Sequence, residues 1–308
     1  MNSNVTTEST LTNELILLSI GLPIFIENSL AIFILSRCDK LIFHVKSLSL
    51  NLCLADCLTG LMLMTPKSVF EYLFSCKMKK YFNFAAVVCS LLTATAINLD
   101  RVLSLYLNFR YTKKVTKCRL VFTCLLSWII SIPLSYAYFF APNEPLGVDC
   151  SLRSTTSSHP LSLITRFGMH LTIVLNVGLF VYMIRYIRTE RRPAQNTDCV
   201  QGSTSTTIEM LKKIILISGF LFVSVTPAII VMEIQEIFPS SLLLQKIKYT
   251  TEILLLSNSF INPLLYVWRY YEVKYQVKRL LCFWNPKRLE TLDRDRKQYF
   301  APYNISIF

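Results

Sequence analysis

The sequence predicts an all-α membrane protein, a bundle of seven transmembrane helices with a short amphipathic eighth helix. Of its 308 residues, 53% are hydrophobic and only 17% are charged, whereas soluble proteins carry about 25% charged residues. The apolar residues form seven runs, each close to or above the roughly 20 residues that cross the hydrocarbon of a bilayer. These runs cover residues 15–36, 46–74, 81–106, 120–140, 162–186, 208–238 and 247–268.

Runs of this length in lipid are predicted to be helices, because backbone polar groups cannot stay unpaired in hydrocarbon. Strands of a membrane β-barrel would be about ten residues long with strict alternation, a pattern that these runs do not show. The chain divides accordingly into a tail (1–14), a seven-helix domain (15–269), an amphipathic interfacial helix (270–284) and a second tail (285–308).

The basic residues predict the orientation. With the N-terminus outside, most of the 32 Lys and Arg residues lie in the inner loops and the C-terminal tail. The positive-inside rule therefore predicts a multi-pass plasma-membrane protein with its N-terminus outside and its C-terminus in the cytoplasm. A basic inner face beside anionic lipid accounts for the formal net charge of +13 without a nucleic-acid partner.

This topology leaves Cys76 and Cys150 as the two of the ten cysteines at the extracellular face, where the compartment is oxidising. They are predicted to form a disulfide, with two free thiols as the alternative. Asn4 begins an outer N-x-T sequence and is predicted to be glycosylated.

Polar residues inside the runs are costly, so each is a functional candidate. The first three runs carry Asn28, Asp56 and Ser90, and the seventh carries Asn258, Ser259 and Asn262. Asn258 and Asn262 share one helical face. A carboxylate ringed by hydroxyl and amide oxygens suits Na⁺ at Asp56, or a chain of waters. Plain hydrogen bonding between helices is the alternative, and no other cofactor is expected.

Two prolines and one charged dipeptide mark the remaining positions of interest. Pro227 and Pro263 interrupt the sixth and seventh runs, and each is predicted to bend its helix. Such a bend is either a hinge or a static kink. Asp100 and Arg101 lie at the cytosolic end of the third run, where the Arg stem can reach the interface.

Together these features resemble the rhodopsin-like (class A) G-protein-coupled receptors, over all seven runs. The stretch SNSFINPLLY resembles the family's N-P-x-x-Y motif, and Asp100-Arg101-Val102 resembles its D/E-R-Y motif with Val in place of Tyr. The family's other signature positions are matched by Asn28, Asp56, Cys76, Ser90 and Trp128.

The resemblance implies a role for each coupling residue. Asp100 would hold Arg101 at rest, and Arg101 would face a heterotrimeric G protein after activation. Tyr182 and the motif tyrosine Tyr266 would hold the sixth helix outward in the active state. Phe109 would dock into the G protein. The sodium and water pocket would consist of Asn28, Asp56, Ser90, Asn258 and Asn262.

Departures from the family pattern weaken the expected resting state. The fifth run lacks the usual proline, so Tyr186 is an alternative to Tyr182. The C-W-x-P motif of the sixth helix reads Ser-Val-Thr-Pro at residues 224–227, and Thr207 replaces the acid that clasps the arginine in many members. We therefore predict an inactive state that is weakly held, with noticeable basal signalling.

The predicted ligand pocket excludes two subclasses. Asn83 replaces the Asp of biogenic-amine receptors, and Leu256 replaces the Lys that binds retinal in opsins. Charges of both signs in the outer third favour a peptide or a small polar ligand, with simple Lys67–Glu71 pairing as the alternative. The pocket candidates are Lys67, Glu71, Asn83, Arg166, His170, Glu233 and Glu252.

The inner face supplies two further predictions. The interfacial helix at 270–284 places Cys282 at its end, as a candidate for palmitoylation or as a plain cytosolic thiol. The Ser/Thr run at 203–207 in the third inner loop is the predicted route to arrestin.

The predicted function is that of a receptor that binds an extracellular ligand and promotes nucleotide exchange on a G protein. The alternatives are a non-coupling or constitutively active receptor and, more distantly, a transporter. An enzyme is not expected, because His44, His159 and His170 are scattered over three segments and form no catalytic cluster.

Overall fold

The computed structural model describes residues 2–66, 76–107, 110–139, 160–191, 219–220, 222–231, 233–234, 238 and 242–301. Within these ranges the regular secondary structure is helical. The helices are α1 (Asn2–Ser36), α2 (Phe43–Met64), α3 (Cys76–Leu107), α4 (Tyr111–Lys114), α5 (Lys117–Phe139), α6 (Pro160–Arg191), α7 (Phe222–Val231), α8 (Leu242–Arg269), α9 (Tyr271–Leu281) and α10 (Pro286–Phe300).

Five of these helices contain segments long and apolar enough to cross a membrane. They are Glu14–Ser36, Phe43–Met64, Met78–Leu107, Lys117–Tyr136 and Leu163–Thr189. Helices α7 and α8 occupy the sixth and seventh predicted runs. The predicted N-terminal tail is helical and continuous with α1, since residues 2–13 contain no Gly or Pro to end the helix.

Helices α2 and α3 form the centre of the bundle. In their membrane segments 61% and 56% of the residues are buried, compared with 17–22% in α1, α5 and α6. The outer helices expose apolar stripes such as Leu22, Ile26 and Leu30 on α1, which suit a hydrocarbon environment. Polar side chains carried by α2 and α3 are consequently shielded from lipid.

Two glycines allow α1 and α2 to approach each other closely. A Cβ atom added to Gly60 would lie 2.7 Å from the backbone N of Phe25, and one added to Gly21 would lie 2.8 Å from Cβ of Leu63. Small residues at such crossings let backbones pack without intervening side chains, which strengthens helix association in lipid.

Helix α9 follows α8 directly and packs on the ends of α1 and α2. Its Val273 is buried in a cluster with Ile34, Leu35, Leu52 and Cys53. The segment predicted to be a tail after residue 285 begins instead as helix α10. The Asn285 side chain accepts a hydrogen bond from the backbone N–H of Arg288, and proline follows at the first helical position, which together start a helix.

The Gly60 contact can be tested by adding a side chain there. We expect Gly60→Val to destabilise the protein by about 1–3 kcal/mol through overpacking, measured as a lower thermal unfolding temperature of the purified chain in detergent. Gly178→Val makes the same chemical change in α6, where nothing lies within 4 Å of the added Cβ, and should leave that temperature nearly unchanged. Equal losses in both variants would contradict the close crossing.

Candidate functional site

The side chain of Asp56 lies at the centre of a polar cluster that joins three helices. It is completely buried on α2. Its Oδ1 accepts hydrogen bonds from Ser90 Oγ of α3 at 2.9 Å and from Ser259 Oγ of α8 at 2.7 Å. Its Oδ2 accepts a hydrogen bond from Asn262 Nδ2 at 2.8 Å. The carboxylate is therefore satisfied entirely by donors from other helices.

Pro263 extends this cluster to α1. A proline cannot donate to the carbonyl four residues before it, so the carbonyl of Ser259 loses its partner within α8. Asn28 Nδ2 donates to that carbonyl at 3.0 Å and also to the Ile24 carbonyl at 2.9 Å. Its Oδ1 is buried and accepts no hydrogen bond from the residues that the structure describes.

The cluster differs in one member from the set predicted by the resemblance. Asn258 is buried, but among the hydrogen bonds recorded for Asp56 the donors from α8 are Ser259 and Asn262. These two are three residues apart and lie on one face of the helix. Ser259 thus takes the place that was predicted for Asn258.

A second polar cluster lies beside the first and includes Trp128. Its Nε1 donates to Asn51 Oδ1 at 2.9 Å, and Asn51 Nδ2 donates to Thr93 Oγ1 at 2.7 Å and to Ser127 Oγ at 3.1 Å. These bonds hold α2, α3 and α5 together. Asn51 was not singled out in the sequence, although it lies within the same polar stretch as Asp56.

At one end of the bundle, Asp100 is held by three groups. Arg101 Nη2 lies 3.2 Å from Asp100 Oδ2, and we call this end of the bundle the Arg101 end. The Tyr111 hydroxyl of α4 donates to Asp100 Oδ1. His44 Nδ1, at the start of α2, lies 2.7 Å from the Tyr111 oxygen and 3.6 Å from Asp100 Oδ1.

This arrangement keeps the phenol of Tyr111 in its donor form. Burial, and then the hydrogen bond to Asp100, raises the pKa of Tyr111 above its ordinary value, so the proton stays on the hydroxyl at neutral pH. Tyr111 and His44 were not predicted as site residues, because they are distant from Asp100 in the sequence or lie in a loop. The rings of Tyr111 and His44, with centroids 5.2 Å apart, lie beside Asp100 of the Asp100–Arg101 pair.

The structure favours Tyr186 over Tyr182 on α6. The Tyr182 side chain is 40% exposed, whereas Tyr186 packs with Met183 and Ile187 against Val102 and Leu105 of α3. Tyr182 was chosen from the motif spacing, and a helix without the family's proline offers no fixed reference for that spacing. The packed Tyr186 is the residue next to the Arg101 end.

The opposite end, which we call the Lys248 end, carries ion pairs. Lys248 Nζ lies 3.7 Å from Glu252 Oε1 on α8, and Arg166 Nη1 of α6 lies 3.8 Å from Glu233 Oε2. The side chain of Lys79 on α3 donates to the Thr65 carbonyl. Three of the predicted pocket residues, Arg166, Glu233 and Glu252, are therefore present as members of pairs.

The other predicted site residues lie outside these ion pairs or outside the described part of the chain. Asn83 is partly buried on α3, and its Oδ1 has no hydrogen-bond partner among the described residues. His170 is on an exposed face of α6, with Nδ1 2.8 Å from the Arg166 carbonyl, and is therefore not placed among the paired charges. Lys67, Glu71, Phe109 and Cys150 lie outside the described residues, as do the side chains of Asn4, Cys76 and Tyr266.

Comparison with known families identifies the architecture. The profile of the 7 transmembrane receptor (rhodopsin family) matches residues 27–266, which include Asp56, both ends of the bundle and Pro263. The chain belongs to the rhodopsin family of seven-transmembrane receptors. This membership confirms the predicted seven-helix fold and the predicted class of a multi-pass membrane receptor, a family of receptors and not of enzymes.

Similar receptors include three whose names mention one ligand. The chain is 25% identical over 311 residues to human lysophosphatidic acid receptor 3, covering 93% of this chain and 85% of that receptor. It is 24% identical to the mouse receptor of the same name, covering 91% and 82%. It is 23% identical to lysophosphatidic acid receptor 1-A of Xenopus laevis, covering 64% and 54%.

The role of Tyr111 in the resting receptor can be tested by removing its hydroxyl oxygen. We expect Tyr111→Phe to raise ligand-independent signalling, because Asp100 loses a hydrogen bond worth about 1.5 kcal/mol, equivalent to roughly a tenfold shift in a two-state equilibrium. The measurement is a G-protein biosensor in cells at matched surface expression. Tyr106→Phe is the control, since Tyr106 lies at the same end of the bundle, on α3, and is 75% exposed. Baselines equal to the native receptor in both variants would refute this role.

Proposed function

We propose that this receptor binds a lysophospholipid with an anionic head group at its Lys248 end. We further propose that it promotes nucleotide exchange on a heterotrimeric G protein at its Arg101 end. In this orientation the N-terminus is extracellular, and the C-terminus is in the cytoplasm beneath the plasma membrane. The observation that carries the proposal is the excess of basic side chains at the Lys248 end, combined with the ligand named for the similar receptors.

The charges at the Lys248 end suit an anion better than a peptide. Four basic residues with buried or partly buried side chains lie there, on α3, α6 and α8, and the acidic residues Glu233 and Glu252 each pair with one of them. Basic side chains therefore predominate among the described charges of this end. A phosphate group would meet charge-assisted donors in this region. The basic residues are Lys79, Lys80, Arg166 and Lys248.

The interior below these charges suits an acyl chain. Leu91 and Ala94 of α3 form a buried apolar cluster with Val225 and Ile229 of α7. Met169, Ile173 and Leu255 pack against that cluster, so apolar side chains from four helices surround it. An amphiphile with one anionic head and one hydrocarbon tail therefore matches the polarity gradient along the bundle.

Activation would require the Arg101 end to open. Arg101 would leave Asp100, and α7 would swing at Pro227, which interrupts its hydrogen-bond ladder. Tyr186 replaces Tyr182 in this proposal as the tyrosine that supports the open state with Tyr266. Contact of Phe109 with the G protein, arrestin recruitment through residues 203–207, the Cys76–Cys150 disulfide, glycosylation of Asn4 and palmitoylation of Cys282 stay predictions.

The ligand proposal predicts a defined loss of potency. We expect Lys79→Gln, Lys80→Gln and Lys248→Gln each to raise the half-maximal concentration of lysophosphatidic acid about tenfold, because a charged hydrogen bond contributes about 1.5–3 kcal/mol. The readout is a panel of G-protein biosensors in cells that express the full chain.

Two variants serve as controls for this experiment. Lys246→Gln removes a positive charge two residues from Lys248, at an exposed position of the same helix, and should keep native potency. Arg101→Ala should abolish the G-protein response while ligand binding persists. A response to peptides but not to lysophosphatidic acid, or equal potency in all lysine variants, would overturn the proposed ligand class.

We also propose that the Asp56 cluster binds Na⁺ with water. The side chains fit a small monovalent cation, because one carboxylate is surrounded by the neutral hydroxyl oxygens of Ser90 and Ser259 and by the neutral side-chain amide of Asn262. The buried Oδ1 of Asn28, which lacks a hydrogen-bond partner among the described residues, adds a further acceptor for a water. When bound, Na⁺ would supply a positive charge that balances Asp56 and favours the resting arrangement of α2, α3 and α8.

Sodium binding predicts salt-specific stabilisation. We expect the purified receptor to unfold at a higher temperature in NaCl than in N-methylglucamine chloride at equal ionic strength, because a ligand that binds only the folded state stabilises it. Asp56→Asn should remove the difference. Thr59→Val should keep it, because this buried hydroxyl donates to the Ala55 carbonyl of its own helix and, among the described residues, not to another helix. Identical unfolding of the native chain in both salts would exclude the site.

A further inference from the structure

The side chain of Thr226 on α7 carries a buried hydroxyl that lacks a hydrogen bond. Its Oγ1 is buried and has no partner among the residues that the structure describes. A threonine inside a helix normally bonds the carbonyl one turn earlier, as Thr172 of α6 does by donating to the Gly168 carbonyl at 2.7 Å. An unsatisfied hydroxyl destabilises the conformation that buries it. Thr226 therefore raises the energy of the arrangement seen here.

Helix α6 contributes a polar side chain to the surroundings of Thr226. Thr226 and Asn176 both line a small cavity between α3, α6 and α7, and the other residues that line it are apolar. Asn176 is thus the side chain of this cavity with which the Thr226 hydroxyl can form a hydrogen bond. The apolar lining consists of Leu91, Ile173, Phe222 and Val225.

Asn176 is buried and has one acceptor position left. Its Nδ2 donates to Thr95 Oγ1 at 2.7 Å and to the Thr172 carbonyl at 2.8 Å, which uses both of its donor hydrogens. Its Oδ1 accepts one hydrogen bond, from Asn98 Nδ2 at 2.9 Å, whereas an amide oxygen can accept two. Within the described ranges the second position of Oδ1 is unfilled, and a hydroxyl is a donor that can fill it.

Helix α7 is able to change its position relative to Asn176. Pro227 cannot donate to the carbonyl of Val223, so the hydrogen-bond ladder of α7 is interrupted beside Thr226. The contacts of the same helix with α3 are apolar, through Val225 and Ile229. Apolar contacts have no preferred direction. A swing or rotation of α7 therefore costs these contacts little, while it changes the surroundings of the Thr226 hydroxyl.

We propose that Thr226 is a positioning residue that favours opening of the receptor, because its hydroxyl is unpaired at rest and donates to Asn176 Oδ1 when α7 swings. The resting arrangement is the one in which Arg101 lies 3.2 Å from Asp100. The unpaired hydroxyl raises the energy of this state, and the new hydrogen bond lowers the energy of the open state. Both contributions shift the equilibrium in one direction. This inference rests on the proposed function, from which it takes the swing of α7 at Pro227.

A substitution that keeps the shape of the side chain tests both contributions. Thr226→Val should lower ligand-independent nucleotide exchange on a G protein at least about fivefold in the purified full receptor. The unfolding temperature of the receptor alone should rise by about 2–4 °C, because the resting state no longer buries an unpaired hydroxyl. Thr226→Ser keeps the hydroxyl and should keep native exchange. Thr172→Val makes the same chemical change at a hydroxyl bonded within its own helix and should leave both values unchanged.

Double variants isolate the contact with Asn176. In an Asn176→Leu receptor the hydroxyl of Thr226 lacks this acceptor in both states, so adding Thr226→Val should change nucleotide exchange by less than about twofold. Asn98→Leu also breaks the hydrogen bond between α3 and α6 but leaves Asn176 Oδ1 in place. The fall of at least about fivefold should therefore persist when Thr226→Val is added to Asn98→Leu.

The opposite signs of the two Thr226→Val readouts distinguish this role from a structural one, because loss of a structural hydrogen bond lowers the unfolding temperature. An unfolding temperature at or below the native value would overturn the proposal. So would unchanged nucleotide exchange, or equal falls in the Asn176→Leu and Asn98→Leu receptors.

A separate readout covers failure of the proposed function. If the native receptor activates no G protein, that function is refuted, and amide hydrogen exchange of residues 222–231 measures the opening of α7 directly. We expect this exchange to be at least about fivefold slower in Thr226→Val than in the native receptor. Equal exchange rates would overturn the role of Thr226.

Discussion

The charge of Asp56 constrains the arrangement of the whole bundle. A carboxylate buried in a membrane protein is tolerated only where neighbouring groups satisfy its oxygens. Here the donors Ser90, Ser259 and Asn262 come from α3 and α8. Helix α2 must therefore lie between those two helices, rotated so that Asp56 faces both of them. Asn28 adds α1 by bonding the carbonyl that Pro263 leaves open. The central position of α2 follows from these four contacts together with its close packing on α1.

The sequence was sufficient where a physical rule acts on residues near one another in the chain. Run length predicted the membrane helices, and the polar residues of the first three runs are the ones that meet in the structure. The direction in which a side chain points was predicted less well. A shift of one residue rotates a side chain by about 100°, which exchanges Asn258 for Ser259. Tyr182 and Tyr186 are four residues apart, about one turn of the helix, so the sequence pattern did not choose between them. His44 and Tyr111 were missed because their contacts with Asp100 depend on how a loop folds back.

Helix α10 shows a different limit of pattern reading. The segment has charges around its whole circumference and no apolar stripe, a composition typical of a solvated tail. Its helix is recognisable only from Asn285 and Pro286 at its start, and its docking depends on the carboxylate of Glu272 in another helix. The charges at the Lys248 end show a related limit. Read one by one from the sequence, they predict a peptide or a small polar ligand, and the sequence does not show that Arg166 of α6 pairs with Glu233 in the structure.

Helix α8 connects the Lys248 end, the Asp56 cluster and α9. Helix α8 carries Lys248 and Glu252 at one end and Ser259 and Asn262 in the middle, and it continues into α9 at the Arg101 end. The far end of this path is held in place, since Val273 of α9 packs on α1 and Gln276 donates to the Arg37 carbonyl. A displacement of Lys248 by an anionic ligand therefore cannot move α8 as a rigid rod. It must be absorbed at Pro263, beside the Asp56 cluster, or passed to α7, whose Val225 and Ile229 belong to the cluster against which Leu255 of α8 packs. Because α8 is held at the Arg101 end, the movement that opens this end falls to α7.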